Sequence, residues 1–277
     1  MKKILKTIFP VLGLFIFFSS CQKFEEPEMI IISDDDPAFS GPLQRFWAFE
    51  NSVTDSVLGA RGIANGVTFA PGVKGQAYKG STNSYVEYAS AGKLATMESF
   101  TISFWFNTEK HSGGAQCLFM LPNTEDFWGN LFFMIEGNDD PNDSTMLPKF
   151  HFAGQWVEFS QHNNPNGLNR WPNAYGQWKH VAFTYDGNSS EFSAYLDGQK
   201  LPLAESVTHR QKDGAPLGPL QFQNVSKFVI GGFQQHIGIR APAEPWMLNY
   251  TGLLDQLRIY TTALSASEIE QLYNTQS

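Results

Sequence analysis

Alternating apolar and polar residues mark a series of short strands along most of the chain after residue 43. The clearest pattern lies at residues 99–108, where four apolar side chains from Phe100 to Phe106 share one face and alternate with mainly polar residues. Successive side chains of a strand point to opposite faces, so a period of two residues predicts a strand that buries one face. We therefore expect this segment to contribute to a core.

A meander of three strands is predicted at residues 178–201. The turns Asp186-Gly187 and Asp197-Gly198 separate its apolar segments. Asp-Gly pairs favour tight hairpins because glycine adopts positive φ without steric cost. Other segments with strand character lie at residues 46–50, 84–88, 117–121, 131–136, 149–152, 228–231 and 253–260. Together they predict an all-β fold in which two antiparallel sheets form a sandwich over residues 43–277.

The end of the chain has a helical pattern instead. Ser265 and Glu268 have the spacing of a capping box, and Ile269, Leu272 and Tyr273 follow at positions that share one helical face. We predict a short C-terminal helix whose apolar stripe packs across the sandwich.

The first 21 residues have the layout of a bacterial secretion signal. Three lysines lie in the first six residues, and an apolar stretch runs from Ile8 to Phe18. This stretch is too short for a bilayer, which takes about 20 residues to span. The sequence Ser-Ser-Cys that ends at Cys21 resembles a lipoprotein processing site, which implies that residues 1–20 are a lipoprotein signal peptide and that Cys21 carries the lipid. Ordinary signal cleavage is the alternative.

An acidic segment follows the cysteine. Residues 22–40 contain six acidic residues and two prolines without sustained periodicity, so residues 21–42 are predicted to form a flexible tether between lipid and domain. The acidic residues also resemble the export signal of surface lipoproteins in the Bacteroidota. That resemblance implies a lipid-anchored location at the outer membrane or cell surface.

Charge and cysteine content restrict the function classes further. The chain has a formal net charge of −8, which becomes about −11 once the three lysines of the leader are removed. Such a surface repels nucleic acids and anionic lipids, so neutral partners and divalent cations are favoured. With Cys21 assigned, Cys117 is the one cysteine left, which excludes an intramolecular disulfide and a cysteine metal cluster. Abundant aromatic residues and few charges are typical of an extracellular all-β domain.

Several strings in order along the chain carry a family resemblance. They lie at residues 46–50 (Phe-Trp-Ala-Phe-Glu), 72–78, 100–105, 178–187, 195–198 and 250–269. The set resembles the laminin-G-like members of the concanavalin A-like lectin/glucanase superfamily over residues 43–274. The resemblance implies a curved jelly-roll sandwich, often with a calcium ion at its rim, that binds glycans or proteins and is sometimes built into glycosidases.

This chain is longer than a minimal laminin-G-like module. The additional residues fall in four predicted loops, at residues 122–148, 161–177, 204–223 and 234–248. Long loops on a rigid sandwich commonly determine binding specificity.

No catalytic residues are predicted. Glucanases of the superfamily carry acidic residues that alternate along one strand, with the catalytic pair ~5 Å apart, and no Glu-x-Asp-x-x-Glu string occurs here. The acidic cluster that begins at Glu136 contains Gly137 and precedes Pro141, which indicates a turn. A Gly-x-Ser-x-Gly string is also missing from the sequence, and His180 is expected to be structural.

Glu50, Gly75 and Asp255 are the candidate metal ligands. Both carboxylates are in phase with apolar residues of predicted strands, and a buried carboxylate needs a cation or several hydrogen-bond donors. Calcium accepts carboxylates and backbone carbonyls, and Gly75 is the candidate carbonyl. The family resemblance implies such a structural calcium site between the first and last strands. An ion pair with Arg45 or Arg258, or a hydrated position at the rim, is the alternative.

Four tryptophans lie in or beside the long loops, whereas Trp47, Trp105 and Trp178 lie in predicted strands and are expected in the core. Indole rings stack on the apolar C–H faces of sugars, and amide or guanidinium groups bond their hydroxyls. The candidate carbohydrate-binding residues are Trp128, Trp156, Asn169, Arg170, Trp171 and Trp246. Packing of each indole within its own loop is the alternative.

These features predict a non-catalytic, lipid-anchored glycan-binding protein that captures polysaccharide for uptake at the cell surface. Its expected partners are a glycan or polysaccharide, the membrane through the lipid alone, and other surface uptake proteins. A protein-binding adhesin and an unrecognised concanavalin A-like glycosidase are the alternatives.

Replacing Cys21 by Ala is expected to release the protein into the medium. Two or more acyl chains, at ~0.8 kcal/mol per buried methylene, would otherwise hold it on a membrane. Cell fractionation with fatty-acid labelling measures this, and Cys117→Ala is the matched control that should stay labelled and membrane-bound. Retention of the Cys21→Ala protein on the membrane without label would contradict the lipid anchor.

Overall fold

A computed structural model describes residues 43–158 and 170–275. The predicted signal peptide, Cys21, the acidic tether and Asn169 lie outside these described residues. Within them the strands, in chain order, are β1 (Leu43–Trp47), β2 (Ile63–Asn65), β3 (Thr68–Pro71), β4 (Gln76–Lys79), β5 (Tyr85–Tyr88), β6 (Phe100–Asn107), β7 (Ala115–Leu121), β8 (Leu131–Glu136), β9 (Leu147–Phe152), β10 (Gln155–Glu158), β11 (Lys179–Asp186), β12 (Glu191–Leu196), β13 (Gln199–Lys200), β14 (Gln211–Lys212), β15 (Ala215–Pro216), β16 (Phe228–Ile230), β17 (Met247–Asn249) and β18 (Leu253–Tyr260).

Two α-helices accompany the strands in the described part of the chain, α1 (Glu205–Thr208) and α2 (Ala266–Asn274). Single 3₁₀ turns lie at Gly92–Thr96 and Gln234–Ile237. Over the described residues, we find no helix with the length and apolar character needed to span a membrane.

The strands form a two-sheet sandwich, as predicted, apart from β14 and β15, which pair with each other in a separate ribbon. In the described residues the first sheet has the order β13-β12-β11-β6-β18-β4-β3, with β1 also paired to β18, and the second has the order β10-β9-β8-β7-β16-β5-β2, with β17 also paired to β7. The pairs within both sheets are antiparallel except β17 with β7, which is parallel. The predicted meander is confirmed as β11, β12 and β13.

An aromatic core fills the space between the two sheets. The four alternating residues of β6, Phe100, Ile102, Phe104 and Phe106, are fully buried in it, which confirms the pattern at residues 99–108. The ring of Phe104 lies 5.3 Å from that of Phe119 on β7 and 5.5 Å from that of Phe133 on β8. Contacts between rings of opposite sheets therefore fix the separation of the sheets.

The C-terminal helix covers the outer face of the first sheet, as its apolar stripe predicted. The Ser265 hydroxyl accepts a hydrogen bond from the Glu268 amide, and the Glu268 carboxylate accepts one from the Ser265 amide, which completes the capping box. Ile269 is fully buried, and the ring of Tyr273 stacks on Trp105 of β6 at 5.4 Å. Both faces of β6 are therefore covered.

The first strand ends earlier than predicted. β1 stops at Trp47, and Phe49 and Asn51 adopt positive φ angles of 56° and 52°, so the chain turns at this point. Glu50 therefore projects from a turn and does not continue the strand. Of the tryptophans expected in the core, Trp47 and Trp105 are buried, whereas Trp178 is only partly buried and precedes β11.

Trp171 lies in the core between the sheets, which corrects its expected role in carbohydrate binding. Its side chain is 1% exposed, and its ring lies 6.1 Å from that of Phe133 and 6.4 Å from that of Phe106. Its backbone pairs with Met146 in an isolated antiparallel bridge. A ring enclosed in this way cannot offer a face to a sugar.

Trp171→Ala is expected to lower the free energy of unfolding by about 3–5 kcal/mol, because it leaves a cavity among packed aromatic rings. Chemical denaturation of the purified domain measures the change. The matched control is Trp246→Ala, since this ring is partly exposed and its removal should cost markedly less. A loss below about 1 kcal/mol for Trp171→Ala would rule out the core role.

Candidate functional site

The second sheet carries apolar side chains on its outer face as well as on its inner face. Along β8, Phe133 points into the core while Phe132 and Met134 point outward, and the three are at most 3% exposed. The buried residues of this outer layer are Ala115, Cys117, Met120, Phe132, Met134, Val229, Phe233 and Met247. An outward apolar layer of this size has to be covered, and loops cover it here.

Three of the loop tryptophans converge on this layer. The ring centroid of Trp128 lies 4.9 Å from that of Trp156 at an angle of 87°, and 5.7 Å from that of Trp246 at 40°. Trp128 comes from the loop after β7, Trp156 from β10 and Trp246 from the loop before β17. All three are partly exposed. They line one cavity of about 610 Å³ on the outer face of the second sheet.

Three charged side chains form the polar part of the cavity wall. The Lys149 ammonium lies 3.0 Å from a carboxylate oxygen of Glu136 and 3.8 Å from one of Glu158. Register explains the arrangement, because Lys149 on β9 pairs with Glu158 on β10, and Glu136 ends the adjacent strand β8. Hydroxyl groups of a ligand would find both acceptors and a donor here.

Buried amide side chains fix the loop that carries Trp128. Gln234 is fully buried, and its Nε2 donates to the carbonyl oxygens of Asp126 at 2.7 Å and Phe127 at 3.2 Å. Its Oε1 accepts from the amide of Asn123 at 2.9 Å. The Trp128 amide itself donates to the Asp126 carboxylate at 2.9 Å. One glutamine therefore holds the backbone just before Trp128.

A close backbone approach fixes the third tryptophan. The amide of Ala115 at the start of β7 donates to the carbonyl oxygen of Trp246 at 2.8 Å. A Cβ atom on Gly114 would lie 2.5 Å from the same oxygen, well inside van der Waals contact. Glycine at this position therefore allows the loop to lie against the sheet.

Arg170 is not among the residues that line the tryptophan cavity. Its guanidinium pairs with the Asp143 carboxylate and lies 3.4 Å from the Thr145 hydroxyl. Hydrogen bonds from Thr145, helped by the charge of Arg170, lower the pKa of Asp143 to about 2. Arg170 therefore organises the loop before β9, and the expectation that it binds carbohydrate is not supported by its position.

The three candidate metal ligands meet at one turn between β3 and β4. The Glu50 carboxylate accepts from the Gln76 amide at 3.0 Å and lies so close to Gly75 that a Cβ there would collide with it. Asp255 accepts from the Lys74 amide at 3.1 Å on the other side of this turn. The Gly75 carbonyl accepts from the Gly72 amide at 3.0 Å, and a carbonyl oxygen has a second lone pair.

Asp255 is a buried carboxylate whose hydrogen bonding is incomplete. Its side chain is 0% exposed, and its Oδ1 has no hydrogen-bond partner in the structure. Burial raises the pKa of its carboxyl group to about 7, against the opposing effect of the backbone amides of Lys74, Gln256 and Val73. A cation would satisfy both the charge and the unpaired oxygen.

The arginines considered as alternative partners of Asp255 are engaged elsewhere. Arg45 pairs with Asp55 at 3.2 Å, and the guanidinium of Arg258 lies over the ring of Phe46 and donates to Gln256. In the part of the chain that the structure describes, no three His, Cys, Asp or Glu side chains are grouped to hold a metal ion. A calcium site here would need backbone carbonyls or water beside its two carboxylates.

His180 occupies a structural position, as its place in a predicted strand indicated. Its Nε2 lies 2.8 Å from the Ser103 hydroxyl, and both side chains are 1% exposed. Burial, helped by the nearby charge of Arg258, lowers the pKa of His180 to about 3, so the ring is neutral at physiological pH. The pair lies beside Trp105 and Tyr273, under α2, where a substrate has no access.

Comparison with known proteins places this fold in a family. A family model described as the concanavalin A-like lectin/glucanases superfamily, of the Laminin_G_3 type, matches residues 80–270. The chain belongs to this superfamily, as the sequence resemblance implied. A comparison with curated protein sequences found no significant match.

Solved structures agree on the fold. Domain 4 of AbnA, a GH43 extracellular arabinanase from Geobacillus stearothermophilus in complex with arabinotriose, has a TM-score of 0.55 and 19% identity over 84% of this chain and 98% of that domain. Botulinum neurotoxin type C, whose cell entry depends on two ganglioside molecules, has a TM-score of 0.54 and 15% identity over 85% of this chain and 51% of that one. A sialidase from Trypanosoma rangeli in complex with sialic acid has a TM-score of 0.55 and 16% identity, over 85% of this chain and 33% of that one. Both glycosidases and binding domains share this fold.

Proposed function

We propose that this chain is a non-catalytic glycan-binding protein whose ligand contacts the tryptophan cavity. The observation that carries the proposal is the convergence of Trp128, Trp156 and Trp246 around one solvent-open cavity with a charged rim. Partly exposed indoles supply stacking faces, and the rim supplies hydrogen-bond partners for hydroxyls. The arabinotriose complex of the similar arabinanase domain, and the dependence of the similar neurotoxin on ganglioside molecules, support the same class of ligand.

The contacts of the two rim carboxylates favour binding over hydrolysis. Glycosidases use one carboxyl group as acid and a second as base or nucleophile on either side of the scissile bond. Here the Lys149 ammonium contacts both Glu136 and Glu158, so each of the two carboxylates has a cationic neighbour at the cavity. This arrangement suits the recognition of hydroxyl groups.

The proposed location is the outer surface of the cell. It rests on the sequence of residues 1–42, namely the signal-like leader, the cysteine at position 21 and the acidic segment after it. We infer a role in polysaccharide capture beside other surface uptake proteins.

A structural calcium ion at the turn between β3 and β4 is a separate part of the proposal. Glu50, Asp255 and backbone carbonyls of the turn would hold it, and the support for it is the buried, unpaired Oδ1 of Asp255. The ion would neutralise the buried Asp255 carboxylate, which the pairing with Trp105 places on the face of the first sheet opposite to the core residue Leu254, and it has no step in any reaction.

Trp128→Ala is expected to weaken polysaccharide binding by about 1–3 kcal/mol, by analogy with aromatic residues at binding hot spots. Affinity gels first identify the polysaccharide that retards the wild-type protein most. Isothermal titration calorimetry with that polysaccharide then measures the loss of affinity. The melting temperature should stay close to that of the wild type, because Trp128 packs on the outer layer and not in the core. Unchanged affinity for Trp128→Ala would contradict the proposed site.

Two controls separate this result from unfolding and from catalysis. Trp178→Ala removes a partly buried tryptophan that lies just before β11 of the first sheet, and this variant should bind the polysaccharide as the wild type does. Incubation of wild type with the same polysaccharide should release no reducing sugar. Release that is lost in Glu136→Gln would instead establish a glycosidase.

Calcium is expected to raise the melting temperature of the wild type, and Asp255→Asn should abolish the rise. An ion present at 100 times its dissociation constant adds ~2.7 kcal/mol. Glu270→Gln, which removes an exposed carboxylate from α2, is the matched control and should keep the full response. Identical melting curves in EDTA and calcium, with no calcium found by elemental analysis, would exclude the site.

A further inference from the structure

A second cavity lies on the far side of the Trp128–Trp156 pair. It has a volume of about 370 Å³, and both tryptophans line it as well as the first cavity. The two rings meet edge to face, so the pair forms a ridge between the cavities. Both volumes fall within the ~300–1,000 Å³ typical of small-ligand sites.

The wall of the second cavity is built by a buried asparagine. Asn130 is 4% exposed, and its Nδ2 donates to the carbonyl oxygens of Pro122 at 2.8 Å and Gln223 at 2.7 Å. Its Oδ1 accepts from the Gln223 amide at 2.9 Å, and its carbonyl accepts from the Ala153 amide at 2.7 Å. One side chain and its backbone thus join three separate segments around the cavity.

The floor of the second cavity includes a buried histidine. His151 is 3% exposed, and its ring stacks on Phe132 at 4.9 Å and meets Trp156 at 4.8 Å. Its Nδ1 has no hydrogen-bond partner in the structure. A polar ring held under the Trp156 indole supports a built site and not a gap between loops.

The two cavities differ in the chemistry of their walls. The first has Glu136, Lys149 and Glu158, whereas the second has the exposed amide side chains of Gln221 and Gln223 beside one carboxylate, Asp126, and one ammonium, Lys212. Amides donate and accept hydrogen bonds without charge, which matches hydroxyl groups. The first cavity has two carboxylates and one ammonium, and the second has one of each, so neither wall has the excess of positive charge that would attract an acidic sugar, and both suit a neutral one.

We propose that the two cavities form one extended site that binds an internal segment of a neutral polysaccharide chain, with sugar units on both sides of the Trp128–Trp156 ridge. This inference rests on the proposed glycan-binding function and adds the ligand class to it. A chain laid across the ridge places one indole face beside each cavity. A single terminal sugar would fill one cavity and leave the other without a ligand.

Affinity should therefore depend on chain length. The probes are neutral cello-, xylo-, manno- and arabino-oligosaccharides from the mono- to the hexasaccharide, titrated by calorimetry, with polygalacturonate as the acidic comparison. We expect affinity to rise by about tenfold or more once a chain is long enough to reach both cavities. A neutral series whose affinity does not change with length, or tighter binding of polygalacturonate, overturns the inference.

A double variant tests whether the gain in affinity for long chains comes from the second cavity. Gln221→Ala with Gln223→Ala should lower affinity for long chains about tenfold, the effect of two hydrogen bonds, and leave short chains unchanged. The matched control is Gln199→Ala with Gln271→Ala, two exposed glutamines on β13 and α2, which should change neither. An equal loss of affinity for short and long oligosaccharides would overturn the proposed role of the second cavity.

The outcomes also separate this inference from the function on which it rests. If Trp128→Ala weakens binding while the affinity does not depend on chain length, the proposed glycan site is supported and the extended site is excluded. If the wild type binds none of the oligosaccharides or their parent polysaccharides, both fall together.

Discussion

The second sheet has to bury apolar side chains on both of its faces, and most of the candidate site follows from this constraint. Consecutive residues of β8, such as Phe132 and Phe133, point in opposite directions and are both fully buried. The first sheet covers the inner face. The outer face is covered by the loops that carry Trp128 and Trp246, together with Trp156 from β10. The cavity is the part of this cover that stays open to solvent.

Polar side chains determine where these loops lie. Gln234 and Asn130 are buried amides: Gln234 bonds backbone groups of the loop after β7, and Asn130 bonds backbone groups of two separate segments. Hydrophobic contact alone has little directionality, whereas these bonds fix the position of individual peptide groups. The apolar layer thus supplies the driving force for loop docking, and the two amides supply its geometry.

The sequence predicted those features that depend on neighbouring residues. Alternation identified β6, Asp-Gly turns identified the meander from β11 to β13, and the capping box identified α2. Strands such as β2 and β17 have only three residues and are stabilised by pairing with distant strands, so no local pattern marks them. The end of β1 before Glu50 was missed because its turn depends on positive φ angles at residues other than glycine.

Long-range packing explains the mixed result for the site. Three of the predicted tryptophans meet, whereas Trp171, which also lies in a predicted long loop, is enclosed by the core. Lys149 and Glu158 were not predicted as site residues. The signal that could have identified them is the alternation of side chains along β9 and β10, which places both on the outer face of the sheet.

The mutual contacts of Trp128, Trp156 and Trp246 have an energetic consequence for any ligand that stacks on them. Each side chain that a ligand must immobilise typically costs about 0.5–1.5 kcal/mol of binding free energy. These rings are already restrained by one another and by the outer layer beneath them. Their conformational entropy is lost when the chain folds, so the surface is preorganised before a ligand arrives.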